Sequence, residues 1–231
     1  MNLNIDLYLE KSKQLSTPEL SDALDYFSLP GSLLGIRHIA GNQRIAGTAW
    51  TVRYIAVDPD NIGTVGDYID DVQSGDVVVI DNAARKDCTV WGGILSQLAA
   101  SKKIAGTVIN GVSRDTDEAN QSQYPIYALG HYMRTGKDRV QVAAVCEPIS
   151  ISGVTIKNGD VIVADIDGVV VIGRHHLENV IDRALQMQTV ERSILSDVLS
   201  GMRISDARKN TIIICCKETP ISVNQGSTHD D

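Results

Sequence analysis

The sequence predicts an α/β fold, and three observations support this class. Two short apolar runs, at residues 77–80 and 106–109, enclose a segment with apolar residues at helical spacing, which is the pattern of a β-α-β unit. Residues 140–172 contain several strand-like runs separated by tight-turn sequences. Residues 178–199 return to helical spacing, so strands and helices alternate as they do in α/β domains.

The first clear helix is predicted to begin at residue 16 or 17. Ser16 with Glu19 forms a capping-box pattern, whereas Thr17 could instead cap the helix with Pro18 at its first position. Both patterns satisfy the free backbone N–H groups at a helix start, so the sequence leaves the two open. The helix is expected to end near Tyr26.

The central β-α-β unit should place two parallel strands side by side with a right-handed crossover. The apolar stripe of its helix consists of Ile94, Leu95, Leu98 and Ala99. Open sheets bind ligands at the carboxyl ends of such strands, and Asp81 and Asn110 follow the two apolar runs at that end.

Strands are also predicted on both sides of this unit. Residues 31–58 mix glycine with β-prone residues, which predicts strands that turn over the edge of a barrel or sandwich. Residues 154–163 are predicted to form a hairpin. The turn sequences of the later segment are Ser152-Gly153, Asn158-Gly159 and Asp167-Gly168.

The late helix is expected to end near Gly201, and the apolar run at residues 211–216 predicts one more strand before a polar tail. The sequence shows no internal repeat and no linker rich in proline or serine. We therefore predict an N-terminal helical extension at residues 1–15, a single main domain at residues 16–207, and a C-terminal strand and tail at residues 208–231.

Charge and composition exclude several classes of protein. The net charge of -8 disfavours a broad phosphate-binding surface, so no direct nucleic-acid contact is expected. The first ten residues lack a basic region followed by an apolar stretch, and no run of about 18 apolar residues occurs. The sequence therefore predicts a soluble cytoplasmic protein without a membrane partner.

Cysteine and histidine do not form a recognisable metal pattern. Neither zinc-ribbon spacing nor disulfide-scaffold density is present, so the cysteines are interpreted as structural thiols. The histidines show no pair on one helix face, which argues against a histidine-based zinc site. The residues concerned are Cys88, Cys146, Cys215 and Cys216, and His38, His131, His175, His176 and His229.

The most informative chemistry lies in the glycines Gly92 and Gly93 and in the pair Arg114 and Asp115. Two glycines at a helix start let backbone N–H groups approach an anion, so a substrate carboxylate would fit there. Arg114 offers a permanently charged fork for a carboxylate or enolate oxygen, and Asp115 offers a hard oxygen to a magnesium-like cation. Alternatively, the glycines form only a tight turn and the Arg-Asp pair only a solvated ion pair or helix cap.

Longer motifs carry a resemblance to a known family. Gly92-Gly93-Ile94-Leu95 and the segment from Ile104 to Asp115 resemble the signature of the RraA-like family in both letters and spacing. Residues 21–25, 46–52 and 158–170 are also similar to that family, and the resemblance covers about residues 15–207. The domain predicted at residues 16–207 is thus identified as RraA-like.

The resemblance implies a swivelling β/β/α fold like the phosphohistidine domain, assembled as a homotrimer or homohexamer with sites between subunits. The family includes class II pyruvate aldolases acting on 4-hydroxy-4-methyl-2-oxoglutarate, oxaloacetate decarboxylases, and non-catalytic regulators of ribonuclease E. Some members carry a menaquinone methyltransferase label, but no S-adenosylmethionine loop follows an early strand here. The implied function is a carbon–carbon lyase that uses Mg²⁺ or Mn²⁺ to cleave a small 2-oxo acid to pyruvate through an enolate.

The resemblance also implies roles for individual residues. Asp115 would bind the metal, Arg114 would contact substrate and stabilise enolate charge, and the backbone of residues 92–95 would hold the substrate carboxylate. Asn110 would support the metal's water ligands, and Glu191 matches a glutamate that a partner subunit contributes to the same shell in the aldolases, unless it is an ordinary surface glutamate.

The sequence departs from the aldolases at two positions, with Gly93 in place of an acidic residue and Asn110 in place of an aspartate. Fewer carboxylates would therefore surround the metal and its water ligands. Weaker activity or a different substrate is the expected consequence. A ring-shaped protein-binding regulator is the alternative function, although such regulators lack the aspartate that Asp115 supplies. A different reaction on the same scaffold is a third possibility.

Overall fold

The structure is a computed structural model that describes residues 4–215, with side chains to residue 209. Its α-helices are α1 (Ile5–Ser12), α2 (Thr17–Tyr26), α3 (Gly93–Ser101), α4 (Thr116–Gln121), α5 (Leu177–Leu199) and α6 (Ile204–Cys215). Its strands are β1 (Arg37–Ala40), β2 (Ile45–Ala56), β3 (Asp76–Thr89), β4 (Gly106–Ser113), β5 (Ile126–His131), β6 (Val140–Val145), β7 (Ile149–Ile151), β8 (Val154–Ile156), β9 (Val161–Ala164) and β10 (Val169–Ile172). Two 3-10 turns cover Asp67–Asp70 and Arg174–His176.

Eight strands form one nearly closed, barrel-like sheet in the order β1-β5-β4-β3-β2-β9-β10, with β6 also paired to β2. Strands β2, β3, β4 and β5 are parallel neighbours, and the outer pairings are antiparallel. The predicted β-α-β unit is confirmed as β3-α3-β4. The regular pairing of its two strands runs as far as Asp81 of β3 and Asn110 of β4, after which the register shifts.

Strand β3 runs through the centre of the core. Val77 and Val79 face one hydrophobic cluster, whereas Val78 and Ile80 face the other, and all four are fully buried. A parallel strand covered on both faces reads as a continuous apolar run rather than an alternating one, as residues 77–80 do. The first half of β3 is therefore fixed by packing on both sides.

Helix α2 begins as a capping box. The Ser16 backbone N–H donates to Glu19 Oε2 at 2.6 Å, and the Glu19 N–H donates to Ser16 Oγ at 3.4 Å. Thr17 has a different role, since its N–H and hydroxyl both donate to the buried Asp165 carboxylate, at 2.7 and 2.5 Å. Of the two predicted caps, the structure contains the one centred on Ser16.

The predicted hairpin at residues 154–163 is wrong. Strand β8 pairs with β7 in a separate two-stranded sheet, and β9 pairs with β2 and β10 in the large sheet. The Asn158-Gly159 turn therefore connects two strands that are not paired with each other. Its Gly159 N–H donates instead to the Ala49 carbonyl of β2 at 2.9 Å. The hairpins use the other two predicted turns, Ser152-Gly153 and Asp167-Gly168.

The prediction of a strand at residues 211–216 is also wrong for residues 211–215, because they belong to α6 (Ile204–Cys215). A short apolar run is compatible with either element, and the preceding Ala207, Arg208 and Lys209 are strong helix formers. Cys216 and the predicted tail lie outside the described residues. The chain divides into two compact units, the first ending at Leu185 and the second beginning at Gln186.

Candidate active site at the carboxyl ends of β3 and β4

A pocket of about 310 Å³ lies where β3 leads into α3 and β4 leads into α4. Four predicted site groups line it together: the two glycines, the exposed Ile94 with half-buried Leu95, Arg114, and Asp115. The remaining wall consists of Val65, Gly66, Thr89, Val90, Trp91, Thr135 and Gly136. The fold thus brings together residues that lie more than twenty positions apart in the sequence.

Buried contacts of Trp91 and Ser96 fix the glycine loop in position. The indole of Trp91 is buried and stacked on Tyr124, with ring centroids 5.9 Å apart, and its Nε1–H donates to Ser96 Oγ at 3.0 Å. Ser96 Oγ in turn donates to the Gly92 carbonyl at 3.1 Å. The Trp91 carbonyl accepts the Arg114 N–H at 3.1 Å, which fastens the loop to the turn after β4.

The absence of a side chain at Gly92 creates the space that Asp115 and Arg114 occupy. A Cβ at Gly92 would lie 2.7 Å from Asp115 Oδ2 and 3.2 Å from Arg114 Nε. Its backbone is extended, with φ -157°, so the requirement for glycine is the close approach and not a left-handed turn. At Gly93 a Cβ would meet Asp115 Cβ and Glu118 Cγ less severely, both at 3.3 Å.

Asp115 is oriented by its backbone and by two neighbours. It has left-handed backbone angles, φ 55° and ψ 44°, which aspartate tolerates better than most residues. Its Oδ2 accepts the Gly93 N–H at 2.9 Å and lies 3.3 Å from Arg114 Nε. Oδ1 has no hydrogen-bond partner among the described residues, and the side chain is 36% exposed, so this oxygen is available to a ligand.

The resemblance implied that the backbone of residues 92–95 holds a carboxylate, but not every N–H group of this loop is free. Gly93 N–H is already donated to Asp115, whereas the N–H groups of Ile94 and Leu95 have no acceptor within the described part of the chain. These two amides open the helix α3 and carry its positive end. They are the loop groups available to an incoming carboxylate, alongside the terminal guanidinium nitrogens of Arg114.

Asn110 does not line the pocket. Its Nδ2 donates to Asp81 Oδ1 at 2.8 Å, and the same oxygen accepts the Ala83 N–H at 2.9 Å. Asn110 and Asp81 therefore stabilise the irregular part of β3, where Ala83 and Ala84 both have positive φ. A role for Asn110 in supporting metal-bound water stays a prediction.

Glu191 is exposed on the second half of α5, in the second of the two compact units. A role near a metal stays a prediction. Glu118, three residues after Asp115, is a carboxylate that the sequence analysis did not single out. Its side chain packs against Gly93.

The wall formed by Val65 and Gly66 belongs to the segment 57–66, which Gln141 holds in place. The buried Gln141 amide accepts the N–H groups of Asp58 and Gly63, at 3.1 and 3.2 Å, and donates to the Asn61 carbonyl at 3.0 Å. The Tyr54 hydroxyl donates to the Val65 carbonyl, and burial raises the pKa of Tyr54 well above its usual range, so this donor stays protonated. No sequence motif marked these contacts, because they join distant segments.

Metal binding by these residues would depend chiefly on Asp115. Among the described residues, no group of three His, Cys, Asp or Glu side chains is arranged around one point. Magnesium often uses only one or two protein carboxylates and fills its other positions with water and substrate, so a single free Asp115 oxygen fits that ion. Cys88 is an unsuitable ligand, since burial raises its pKa and favours the neutral thiol.

Comparison with known proteins gives the family. The RraA-like family model, described as Aldolase/RraA, matches residues 17–171, which is more than half of the chain. The chain belongs to the RraA-like family. The matched range contains the whole pocket, and the predicted RraA-like α/β fold is confirmed.

Several RraA-like relatives are similar over most of this chain. A protein of Halalkalibacterium halodurans, provisionally named 4-hydroxy-4-methyl-2-oxoglutarate aldolase, is 32% identical over 84% of this chain and 91% of its own length. Protein DlpA of Legionella pneumophila is 35% identical over 94% of this chain, which spans only 35% of DlpA. The crystal structure of an uncharacterised Pseudomonas syringae pv. tomato protein has a TM-score of 0.81 at 39% identity, covering 88% of this chain and 97% of that one.

A further RraA-like structure, Streptomyces coelicolor RraAS2, described as a member of the RNase ES inhibitor family, has a TM-score of 0.74. It is 23% identical and covers 85% of this chain and 96% of its own, so the likeness concerns the fold alone.

Within residues 4–215, no helix combines the length and apolar content needed to cross a membrane.

Proposed function

We propose that this RraA-like protein is a divalent-metal-dependent lyase that cleaves a small 2-oxo acid to pyruvate. The observation that carries the proposal is the convergence of Arg114, Asp115 and the α3 amides on one pocket, with Asp115 Oδ2 held 2.9 Å from Gly93 N. The aldolase names of relatives at about 32% identity support the same class of reaction.

The chain's own residues would bind the acid end of the substrate. The free N–H groups of Ile94 and Leu95 and the guanidinium of Arg114 are donors suited to a carboxylate. Since Arg114 is 39% exposed, its terminal nitrogens can reach a ligand while Nε stays near Asp115. Apolar Val65, Val90 and Leu95 would exclude water from the carbon skeleton.

Cleavage of the bond between C3 and C4 of a 2-oxo acid leaves negative charge on the pyruvate fragment. Arg114 would stabilise this charge as it develops, because its guanidinium is permanently cationic and already oriented. Mg²⁺ or Mn²⁺ bound through Asp115 would supply Lewis-acid stabilisation of the same charge. Retro-aldol cleavage and decarboxylation share this requirement, so the site suits both 4-hydroxy-4-methyl-2-oxoglutarate and oxaloacetate.

The test is a lactate-dehydrogenase-coupled pyruvate assay with each of these two acids, run with Mg²⁺ or Mn²⁺ and with chelator. Metal-dependent release above a protein-free, metal-containing blank is expected, and Asp115→Ala should return the rate to that blank. Asp117→Ala is the matched control, because Asp117 is an exposed carboxylate two residues away that does not line the pocket. No release from either acid above the blank would refute the lyase and favour the regulator, whereas equal release by the two variants would refute the role of Asp115.

Metal binding is measured separately by calorimetric titration of the protein with Mn²⁺ alone. Asp115→Ala should weaken binding at least tenfold, whereas Asp117→Ala should not. A homotrimer or homohexamer and a cytoplasmic location are further parts of the proposal, and analytical ultracentrifugation checks the assembly.

A further inference from the structure

A second pocket of about 230 Å³ lies on the first compact unit, between the start of α5 and the turn that follows β8. It shares no lining residue with the pocket that contains Arg114. Its polar lining includes Lys157, Arg174, His175 and His176. Four basic or potentially basic side chains around one cavity are unexpected in a protein with a net charge of -8.

The two permanent cations of this pocket are not neutralised by neighbours. Within the described residues, neither Lys157 nor Arg174 has a carboxylate oxygen within ion-pair distance. The buried Asp160 is the one carboxylate in the lining, and its two oxygens accept backbone N–H groups, from Lys157 at 2.8 Å and Arg174 at 3.0 Å. Glu178, in the first turn of α5, accepts the Tyr8 hydroxyl at 2.7 Å.

Asp160 also makes the pocket rigid. By binding one N–H from each side, it fixes the Lys157 turn against the Gly173–Arg174 segment, and its own carbonyl accepts the Ala49 N–H of β2 at 2.7 Å. The Arg174 guanidinium lies over the turn, with one terminal nitrogen 3.6 Å from a Cβ position at Gly159. The backbone positions that carry the two cations are therefore fixed before a ligand binds, which lowers the entropy cost of binding an anion.

The rest of the cavity lining is mostly apolar and comes from Leu24, Leu29, Pro30, Val154 and Val171, together with Gly173 and the hydroxyl-bearing Thr155. A ligand that fills the cavity would therefore carry a charged group at one end and a short carbon skeleton at the other. The start of the 23-residue helix α5, which follows the 3-10 turn at Arg174–His176, adds positive potential on the charged side.

We propose that this pocket binds a small phosphate monoester, with its phosphate between Lys157 and Arg174 and its carbon chain against the apolar residues. A phosphate monoester carries about -1.5 to -2 charges at neutral pH, which matches two unpaired cations better than a single carboxylate does. Arg174 can donate two parallel hydrogen bonds to phosphate oxygens, and Lys157 acts as a point charge. The site is separate from the proposed lyase centre and does not depend on that activity.

The test is calorimetric titration of the full chain with n-butyl phosphate at low ionic strength, where exposed charges are least screened. Saturable binding is expected for n-butyl phosphate, with butyrate and inorganic phosphate at least fivefold weaker and 1-butanol silent. The variant Lys157→Ala/Arg174→Ala should weaken binding at least tenfold. Its fold should be unchanged, because both side chains are exposed and the Asp160 contacts use the backbone.

Two control variants distinguish binding in this pocket from a general effect of protein charge and from binding in the first pocket. Arg192→Ala/Arg208→Ala removes the same two charges from exposed positions elsewhere and should bind as the wild type does. Arg114→Ala removes the cation of the first pocket and should also leave binding unchanged. The proposal is overturned if wild-type protein does not bind n-butyl phosphate, if butyrate binds as tightly, or if either control variant loses binding.

Discussion

Substitution of Gly92 by alanine should damage the proposed lyase site without unfolding the protein. The added Cβ would lie 2.7 Å from Asp115 Oδ2, whereas ordinary contact begins at 3.4 Å, so the carboxylate must move by about 0.7 Å. The backbone at Gly92 is extended and accepts alanine, so the carboxylate and Arg114 have to give way. This shift would break or lengthen the 2.9 Å bond from Gly93 N to Asp115 Oδ2.

The size of the effect follows from that displacement. A misplacement of about 1 Å in a reacting group costs on the order of 100-fold in rate. A shift somewhat smaller than this predicts kcat/KM lower by about 10- to 100-fold, which corresponds to about 1.4 to 2.7 kcal/mol of transition-state stabilisation. The assay is metal-dependent pyruvate release, with circular dichroism and the midpoint of urea unfolding as checks of folding.

Gly93→Ala is the matched comparison. Its Cβ would meet Asp115 Cβ and Glu118 Cγ at 3.3 Å, which requires a shift of about 0.1 Å to reach ordinary contact. Gly93 is also the first residue of α3, where alanine stabilises a helix by up to about 1 kcal/mol relative to glycine. We expect activity within about threefold of wild type and equal or higher stability. Equal activity loss in the two variants, or none in Gly92→Ala, would refute this account of the glycine loop.

Three further predictions concern residues that support the fold and the pocket. Ser16→Ala removes the α2 capping box and should lower the free energy of unfolding by about 1 kcal/mol, measured by urea titration; a change below about 0.3 kcal/mol would contradict it. Gln141→Ala removes three hydrogen bonds from the segment 57–66, so KM should rise several-fold while kcat changes little, and an unchanged KM would exclude this role. Asp165→Ala leaves the buried Thr17 N–H and hydroxyl without their acceptor, which should cost about 2 to 4 kcal/mol in urea unfolding, and a neutral effect would show that water replaces the carboxylate.

Local signals explain which elements were predictable. The β3-α3-β4 unit, the α2 cap and α5 depend on short-range periodicity and capping, and the structure contains all three. The β8–β9 connection was misassigned because Asn158-Gly159 is a hairpin signal in isolation, whereas here it packs against Ala49 of a distant strand. Strand pairing over such separations is decided by tertiary contacts that a turn sequence does not encode.

In the candidate site, too, some features could be predicted from local sequence and others depend on tertiary contacts. Arg114, Asp115 and the glycine loop were predictable because family motifs and donor chemistry mark them in the sequence. The engagement of Gly93 N–H by Asp115, which leaves Ile94 and Leu95 as the free amides, depends on geometry between two loops. Gln141 and Tyr54 could not be identified from sequence, since their partners are backbone groups of a remote segment.

The pocket is assembled from two kinds of chain segment with different freedom to vary. Arg114, Asp115 and the glycine loop follow strands buried on both faces, so a change in their spacing would disturb the protein core. Val65 and Thr135 line the pocket from segments that lie outside the β3-α3-β4 unit. Substitutions there alter the size and polarity of the cavity while the charged groups keep their positions. Exchange of wall residues would therefore change which ligand fits the pocket while the Arg114–Asp115 pair and the glycine loop stay in place.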